Sequence, residues 1–323
     1  TWVCGMNRVL MLYRKSWDEN PVILREIQVL KKSGYDVTLK CWNRRRKVVG
    51  YLKLLSGGEY DYIHSHDIHT LPAGVFLSKK MGAKLIYDCH DRYDLTTHGL
   101  LSRLLYYSDK ILSKYADSII VPCDYYRQFY PPDKTHVIYN VPEVEFGNIK
   151  RVEDGELTIS FFGTVRSVIP FFHLFEISES LGFKVLVVTK DVDKLKTDNP
   201  NVTVKPPVSY EELKKLYSIT DAVFAVYPKN HPAVKYSIPM KVFEAMAVGV
   251  PVITTANTHA GRFVEESEIG VTVEYGNKES MKEAISVLMD ENMRKCYGNN
   301  GRRLFLKKYN WDIMEKKILS IYC

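Results

Sequence analysis

The chain of 323 residues carries 45 Lys and Arg against 38 Asp and Glu, a formal charge of +7. Apolar residues make up 46% and charged residues 26%, which is typical of globular proteins, and no run of about 18 apolar residues could span a bilayer. The basic residues are dispersed, and no motif interleaves them with aromatic residues. The composition therefore argues against a nucleic-acid-binding protein.

Two features of the sequence predict a cytoplasmic protein. The apolar run before Arg14 and Lys15 is too short for a secretory signal peptide. Six cysteines stand at 4, 41, 89, 123, 296 and 323 without a CxxC pair, which is typical of reduced thiols.

The first half of the chain alternates between strands and helices. Strands are predicted at 8–13, 35–42, 61–64, 84–88, 118–121 and 136–139. Helices are predicted at about 18–32, 70–81, 99–115 and 124–130. A strand followed by a helix and a second strand is the repeating unit of a parallel sheet.

The segment 141–156 lacks a helical period and is rich in charge, so it is predicted to be a linker. The alternation resumes after it. Strands are predicted at 157–162, 184–189, 201–205, 221–226, 250–254 and 271–274. Helices are predicted at about 170–181, 191–197, 209–218, 239–248, 278–290, 291–308 and 311–321.

This pattern predicts an α/β protein with two Rossmann-like parallel-sheet domains facing across a cleft. We expect one domain at 1–145 and a second at 146–308, followed by a final helix at about 309–323. Ligands of such sheets bind beyond the carboxyl ends of the strands, and a cleft between two domains is the expected site.

Histidines and aspartates follow two strands of the first domain, in HSHDIHT at 64–70 and DCHD at 88–91. One interpretation is a metal site, because both residue types are sound ligands. The other is a set of hydrogen-bonded loop residues and helix caps. His90 stands where the chain leaves a buried strand, where it could bind a substrate hydroxyl or exchange a proton near neutral pH.

The second domain begins with the strand and turn ISFFGTVRS at 159–167. A glycine at 163 lets the backbone approach a ligand closely, and Arg166 could grip a phosphate with two hydrogen bonds. An ordinary strand-to-helix turn with a surface arginine is the alternative interpretation.

The most informative stretch is SIPMKVFEAMAVGVPVIT at 237–254. Pro239 can open a helix, Gly249 can end it, and Lys241 and Glu244 share one face of its first turns. A helix N-terminus with a lysine and a glutamate suits a ligand that carries an anionic group and hydroxyls, such as a nucleotide sugar. Alternatively, the two side chains could simply pair with each other.

Taken together, these segments resemble the glycosyltransferases of the GT-B fold, in the large retaining family of group 1 and family 4-like enzymes. The strongest resemblance is PMKVFEAMAVGVPVIT, which is similar to the C-terminal signature of that family. Supporting segments are SGYDVTL, HSHDIHTLPAG, KLIYDCHD, YADSIIVPCD, VIYN and FFGTVR. The resemblance implies that the domain at 1–145 is the acceptor side, that the domain at 146–308 binds the nucleotide sugar, and that the final helix at about 309–323 packs back on the first domain.

The resemblance implies four catalytic residues. Glu244 would hold the ribose of the nucleotide, and His90 would lie beside the transferred sugar. Arg166 and Lys241 would neutralise the diphosphate as it leaves, together with the helix N-terminus and without a metal ion.

The resemblance further implies that Gly163 and Thr164 bring backbone close to the diphosphate. It also implies that the base rests near Val208 and Ser209, mostly through backbone contacts. Two departures from the family pattern matter. Tyr236 replaces a glutamate eight positions before Glu244, and no lysine follows Arg166, as in a P-x-K-x-x-E variant of the E-x7-E signature. These departures leave the donor sugar open.

The sequence thus predicts an enzyme of the hexosyltransferase class. It would transfer a sugar from a nucleotide sugar to a glycan or lipid-linked acceptor with retention, and it would need no cofactor or metal. A UDP-sugar is favoured as donor, with GDP-mannose next. Two alternatives stay open: a non-catalytic nucleotide-sugar-binding or scaffold protein on the same fold, and a UDP-sugar epimerase.

A further expected partner is an anionic membrane surface on the inner face. The segment LLSRLLYYSDKILSKY at 100–115 is amphipathic, and a basic run at 44–47 precedes the apolar VVGYLKLL. The alternative is an ordinary packed helix and a solvated charge run.

Overall fold

The structure is a computed structural model that describes residues 7–14, 21–42, 54–55, 58–152 and 155–323. The basic run at 44–47 and most of the apolar stretch after it lie outside the described residues, as does the expected start of the first helix near 18. The chain divides into two compact units, Thr1–Asn140 with Ile313–Cys323, and Val141–Asp312. The sequence placed these divisions after residues 145 and 308.

Unit 1, the first of these two units, contains a six-stranded sheet in which the described strand pairs are all parallel. The strand order is β2-β1-β3-β4-β5-β6. The strands are β1 (Arg8–Tyr13), β2 (Asp36–Cys41), β3 (Tyr62–His66), β4 (Lys84–Asp88), β5 (Ser118–Val121) and β6 (Thr135–Val137). Its helices are α1 (Pro21–Lys32), α2 (Leu71–Met81), α3 (Tyr93–Thr96) and α4 (Gly99–Leu112).

Unit 2, the second of these units, contains another six-stranded parallel sheet, in the order β12-β11-β10-β7-β8-β9. Its strands are β7 (Thr158–Phe162), β8 (Lys184–Val188), β9 (Val202–Lys205), β10 (Ala222–Ala225), β11 (Val252–Thr255) and β12 (Gly270–Val273). Its helices are α5 (Ile169–Leu181), α6 (Tyr210–Ser218), α7 (Pro232–Lys235), α8 (Met240–Val248), α9 (His259–Glu266), α10 (Lys278–Met289) and α11 (Glu291–Lys308). The last helix, α12 (Trp311–Ile321), begins in unit 2, and its residues from Ile313 onward belong to unit 1.

The predicted fold class is confirmed, because both sheets are parallel and carry crossover helices. The fold class could be predicted because the strands appear in the sequence as continuous apolar runs. Residues Val9 to Leu12 of β1 and Val223 to Ala225 of β10 are fully buried, as expected for strands covered on both faces.

Several short elements differ from the sequence prediction. The helices predicted at 124–130 and 191–197 are 3₁₀ turns at Asp124–Phe129 and Val192–Leu195. The helices α3, α7 and α9 were not predicted. Each of these three helices has eight residues or fewer, too few for the 3.6-residue period to stand out in the sequence.

The beginning of the predicted linker is part of unit 2. Val144–Gly147 forms a 3₁₀ turn, and Phe146 is only 1% exposed. Its ring lies edge-on to Tyr217, with 5.1 Å between the ring centroids. The single aromatic residue in this charged segment therefore anchors it to the core of unit 2.

Helix α11 approaches the end of α8 closely at a glycine. A side chain at Gly298 would overlap the carbonyl oxygen of Gly249, whereas one at Gly301 would lie 3.4 Å from the Cα of Met246, an ordinary contact distance. The chain can therefore turn from α8 into the buried strand β11 only because Gly298 leaves room for its backbone.

The substitution Gly298→Ala should lower the free energy of unfolding of unit 2 by about 1–3 kcal/mol, because the added methyl group meets backbone that cannot rotate away. The matched control is Gly301→Ala on the same helix. This control should be neutral or stabilising by up to about 1 kcal/mol, since alanine favours helix. Urea unfolding monitored by circular dichroism gives both values, and equal effects would contradict the packing described for Gly298.

Candidate active site

Unit 2 contains a pocket of about 570 Å³ at the carboxyl ends of its strands. The loops after β7, β8 and β10 and the first turns of α8 form its walls. Six of the residues that the sequence predicted for this unit line the pocket: Gly163, Thr164, Arg166, Val208, Lys241 and Glu244. Ser209 does not line it and instead caps α6, where its hydroxyl accepts a hydrogen bond from the Glu212 N–H. The structure thus brings together residues that are up to 81 positions apart, from 163 to 244, in the sequence.

Gly163 makes the turn that follows β7. Its φ of +142° lies in a region that residues with side chains rarely adopt, and its N–H donates to the carbonyl of Val188 over 2.9 Å. A Cβ atom at this position would lie 3.3 Å from Lys241 Nζ. Glycine therefore permits both the turn and the close approach of the lysine.

Lys241 lies in the first turn of α8, which begins after Pro239. Its ammonium group donates a hydrogen bond to the Tyr227 hydroxyl. It also lies 4.5 Å from the ring centroid of Phe161 and 4.9 Å from that of Tyr227, which are cation–π distances. The ammonium group is therefore held at the pocket wall by aromatic residues.

Glu244 is 7% exposed, and its Oε2 accepts a hydrogen bond of 2.7 Å from the Tyr217 hydroxyl. Burial raises the pKa of this carboxyl group, while Tyr217 and Lys241 partly oppose the rise. Among the described residues, Lys241 and Glu244 do not form an ion pair within 4.0 Å, so the alternative that they pair with each other is not what the structure has.

Basic groups gather on one side of the pocket. His231 stacks on Tyr227 with a centroid distance of 5.4 Å and an interplanar angle of 28°. Burial lowers the pKa of His231, and the charges of Arg166 and Lys241 lower it further. An anion bound beside these three side chains would be attracted by both permanent cations and would favour protonation of the histidine.

Sequence reasoning missed Tyr217, Tyr227 and His231. Tyr217 is fully buried and Tyr227 is nearly so. In the sequence both resemble ordinary aromatic residues of a hydrophobic core. Only the fold shows that their hydroxyl groups reach Glu244 and Lys241. Tyr236, which stands where the family has a second glutamate, is 9% exposed, and its ring lies 4.7 Å from Lys235 Nζ.

His90 belongs to unit 1, where it follows β4. Its Nε2 lies 3.2 Å from Asp88 Oδ2 and 2.9 Å from His66 Nδ1, and its side chain is 21% exposed. Burial disfavours its charge, but the Asp88 carboxylate more than offsets this and raises the pKa of His90 to about 10. His90 is thus the most accessible imidazole of this group of three, next to the buried His64 and His66.

Comparison with known proteins identifies the class of this site. Residues 12–145 match the family model described as Glycosyltransferase Family 4, and residues 172–320 match the model described as Glycosyl transferase-like. The uncharacterized glycosyltransferase MJ1178 of Methanocaldococcus jannaschii is 26% identical over 338 residues, covering 95% of this chain and 87% of that protein. The chain is a glycosyltransferase of the GT-B fold.

Another relative and two solved structures are also similar to this chain. The capsular polysaccharide biosynthesis glycosyltransferase CapM of Staphylococcus aureus is 32% identical over 131 residues, which span 39% of this chain and 31% of CapM. Among solved structures, a glycosyltransferase from Rickettsia africae has a TM-score of 0.76 at 15% identity, with 98% of each chain covered. HepE of Anabaena, in complex with UDP and glucose, has a TM-score of 0.75 at 13% identity, with 98% of this chain and 99% of HepE covered.

The helices within the described ranges offer no membrane-spanning candidate, because none is both long enough and apolar enough.

Burial of Glu244 predicts a pH-dependent stability. Because the pKa of Glu244 is raised in the folded protein, the folded state holds this proton more tightly, and stability falls as the pH rises through the titration of Glu244. Glu244→Gln removes the charge and keeps an acceptor for Tyr217. We expect it to raise the free energy of unfolding by about 0.5–2 kcal/mol at pH 8, and by less at pH 5.

Melting curves of the Glu244→Gln and wild-type proteins at pH 5 and pH 8 measure this difference. The exposed Glu211→Gln on helix α6 is the control and should show no such trend. A gain for Glu244→Gln that is independent of pH would contradict the assigned burial of the charge.

Proposed function

We propose that this glycosyltransferase uses a nucleotide-sugar donor, with a UDP-sugar favoured and GDP-mannose next, and transfers the sugar with retention to a glycan or lipid-linked acceptor. The observation that carries this proposal is the unit 2 pocket, where a buried carboxylate and fixed cations share one cavity. The solved complexes of HepE with UDP and with UDP-glucose support the choice of donor.

The donor diphosphate is proposed to bind beside Lys241, Arg166 and His231. Developing negative charge on the leaving diphosphate is stabilised most by groups that are already in place. Lys241 is such a group, because Tyr227 and Phe161 hold it. The N-terminus of α8, where Lys241 lies, adds a partial positive charge. On this proposal no divalent ion is needed at the diphosphate.

The ribose is proposed to bind Glu244. Tyr217 occupies Oε2, which leaves Oε1 to accept hydrogen bonds from ribose hydroxyls. A nucleoside brings two such donors, which compensate the cost of a buried carboxylate. The base is proposed to rest near Val208 and Leu213, which supply apolar surface to the same cavity.

The chemistry follows from this placement. The bond between the anomeric carbon and the diphosphate breaks, and the acceptor hydroxyl adds on the same face while a diphosphate oxygen takes its proton. His90 keeps the role implied by the family resemblance, a hydrogen bond to the transferred sugar. Gly163 and Thr164 are proposed to bring backbone close to the diphosphate.

A thermal-shift screen of UDP, GDP and their sugars tests the donor. The true nucleotide should stabilise the protein, by about 2.7 kcal/mol at a concentration 100 times its dissociation constant.

With the sugar of that nucleotide as donor, Lys241→Ala should lower kcat by about 100- to 1000-fold, because the variant loses a group that stabilises leaving-group charge. Omitting Mg²⁺ and Mn²⁺ should leave the rate unchanged.

Lys278→Ala is the matched control, because Lys278 pairs with Glu176 at the surface of unit 2 and is remote from the pocket lining. It should retain wild-type activity. Wild-type turnover in Lys241→Ala would refute the role of this lysine. Nucleotide binding without transfer or donor hydrolysis would favour the scaffold alternative, and release of nucleotide with an epimerised sugar would favour the epimerase.

We propose that the acceptor side of the enzyme lies on an anionic membrane surface, as expected for a lipid-linked acceptor. Helix α4 carries an exposed apolar stripe whose members are 55–73% exposed: Leu100, Leu104, Tyr107 and Ile111. These positions share one helix face. The basic Arg103 and Lys110 are also exposed, whereas Asp109 is buried and paired with Arg92. The outer surface of α4 thus combines apolar and cationic groups.

The double variant Leu100→Ser/Leu104→Ser should reduce co-sedimentation with phosphatidylglycerol vesicles at least about tenfold, because two exposed leucines no longer enter the interface. Phe76→Ser on α2, which removes an apolar side chain that is 51% exposed, is the control and should bind as wild type. High salt should weaken wild-type binding. Absence of binding at low salt, or equal binding by the double variant, would refute the membrane surface.

A further inference from the structure

Unit 1 contains a cluster of four potential metal ligands that the proposed reaction does not use directly. Glu26, His64, His66 and Asp88 are between 0% and 4% exposed. One donor atom from each residue lies within 4.8 Å of the donor atoms from the other three. We call these four residues the buried cluster.

The fold gathers the buried cluster from three elements. His64 and His66 are two residues apart on β3, so their side chains point to the same face of the sheet. Asp88 ends β4 directly opposite His66 in the parallel register. Glu26 lies on α1. The sequence motif HxH therefore acquires its carboxylates from two elements that sequence spacing does not connect with it.

Three polar atoms of the buried cluster have no hydrogen-bond partner within the described part of the chain: Glu26 Oε2, His64 Nε2 and His66 Nε2. A buried polar atom that is left unpaired destabilises the folded protein, because it has lost its hydrogen bonds to water without replacement. Three such atoms in one place therefore carry a substantial cost, unless something absent from the polypeptide satisfies them.

The other nitrogen of each histidine is already engaged. His64 Nδ1 is hydrogen-bonded to the Tyr322 hydroxyl over 2.6 Å. His66 Nδ1 lies 2.9 Å from His90 Nε2 and 3.3 Å from Asp88 Oδ2. A metal-ligating histidine typically has its second nitrogen fixed in this way, which orients the ring and leaves one lone pair for the metal.

The separations exceed those of hydrogen bonds. His64 Nε2 lies 3.7 Å from Asp88 Oδ2, and His66 Nε2 lies 3.9 Å from Glu26 Oε2. Ligands at about 2.0–2.1 Å from a tetrahedral Zn²⁺ stand roughly 3.4 Å apart. A contraction of a few tenths of an ångström would bring each of these two pairs to the tetrahedral spacing, and the other separations among the four donor atoms are at most 4.8 Å.

We propose that Glu26, His64, His66 and Asp88 bind one divalent transition-metal ion, for which Zn²⁺ is the best fit. Two imidazoles and two carboxylates suit Zn²⁺, whereas Mg²⁺ and Ca²⁺ prefer oxygen ligands alone. The two carboxylates balance the charge of the ion at this buried site. The ion links α1 with β3 and β4. Through the hydrogen bond between His64 and Tyr322, it is also connected to the residues that follow α12.

The metal is structural and positions His90, whose two near neighbours His66 and Asp88 are ligands. It belongs to unit 1 and is separate from the diphosphate-binding groups of unit 2. The inference therefore stands independently of the proposed donor, and its test needs no turnover measurement.

The test uses the full chain, stripped with a chelator, incubated with Zn²⁺ and passed through a desalting column. Mass spectrometry of the metal content should give one Zn²⁺ per chain, and Zn²⁺ should raise the melting temperature. Glu26→Gln and His66→Gln, which each remove a ligand, should weaken Zn²⁺ binding at least about 100-fold by calorimetry. Tyr322→Phe removes only the hydrogen bond to His64 and should weaken binding by about 10–100-fold.

The exposed His98→Gln is the matched control and should bind Zn²⁺ as wild type. Co²⁺ in place of Zn²⁺ should give the visible absorption of a four-coordinate site. Failure of the wild-type chain to retain Zn²⁺ would overturn the proposal. So would equal affinity in Glu26→Gln and Tyr322→Phe, two mild changes that preserve the shape of the core even where His66→Gln does not fold.

Discussion

The strand pairs of both sheets are parallel, and this constraint governs where chemistry can occur. Each connection must cross the sheet, so the carboxyl ends of neighbouring strands lie along one edge. In unit 2 this edge brings the turn after β7 beside the loop after β10 and the start of α8. Gly163 and Lys241 come together because β7 and β10 are neighbours in the sheet, although they are 78 positions apart in the sequence.

Buried carboxylates have different surroundings in the two units. In unit 2 one carboxylate, Glu244, is buried with a single tyrosine donor, so part of its hydrogen-bonding capacity faces the pocket. In unit 1, Asp88 lies among three imidazoles. The pKa of its carboxyl group lies well below the usual range, because the charge of His90 and the close contacts of Asp88 Oδ2 with His66 and His90 outweigh the opposing effect of burial. A buried carboxylate with spare acceptors suits a ligand that supplies donors, whereas one already surrounded by donors suits a structural role.

Aromatic residues set the electrostatics of the unit 2 pocket. Phe161 and Tyr227 contact the Lys241 ammonium group, Tyr217 binds Glu244, and His231 stacks on Tyr227. Because these charges are in place before a ligand binds, the pocket side chains need to reorganise less when the leaving group becomes negative. This arrangement has a free-energy cost, because a carboxylate and an ammonium group are held partly out of water.

The sequence by itself determined the fold class, most strand positions, and six of the residues that line the pocket. It could do so because parallel strands are continuous apolar runs, and because Pro239 and Gly249 mark the two ends of α8 locally. Tertiary structure alone decided which side chains surround those residues. Tyr217 reaches Glu244 across 27 positions, and Tyr322 reaches His64 across 258. Local sequence carries no record of such contacts, because strand order and helix crossings, rather than spacing along the chain, place these hydroxyl groups.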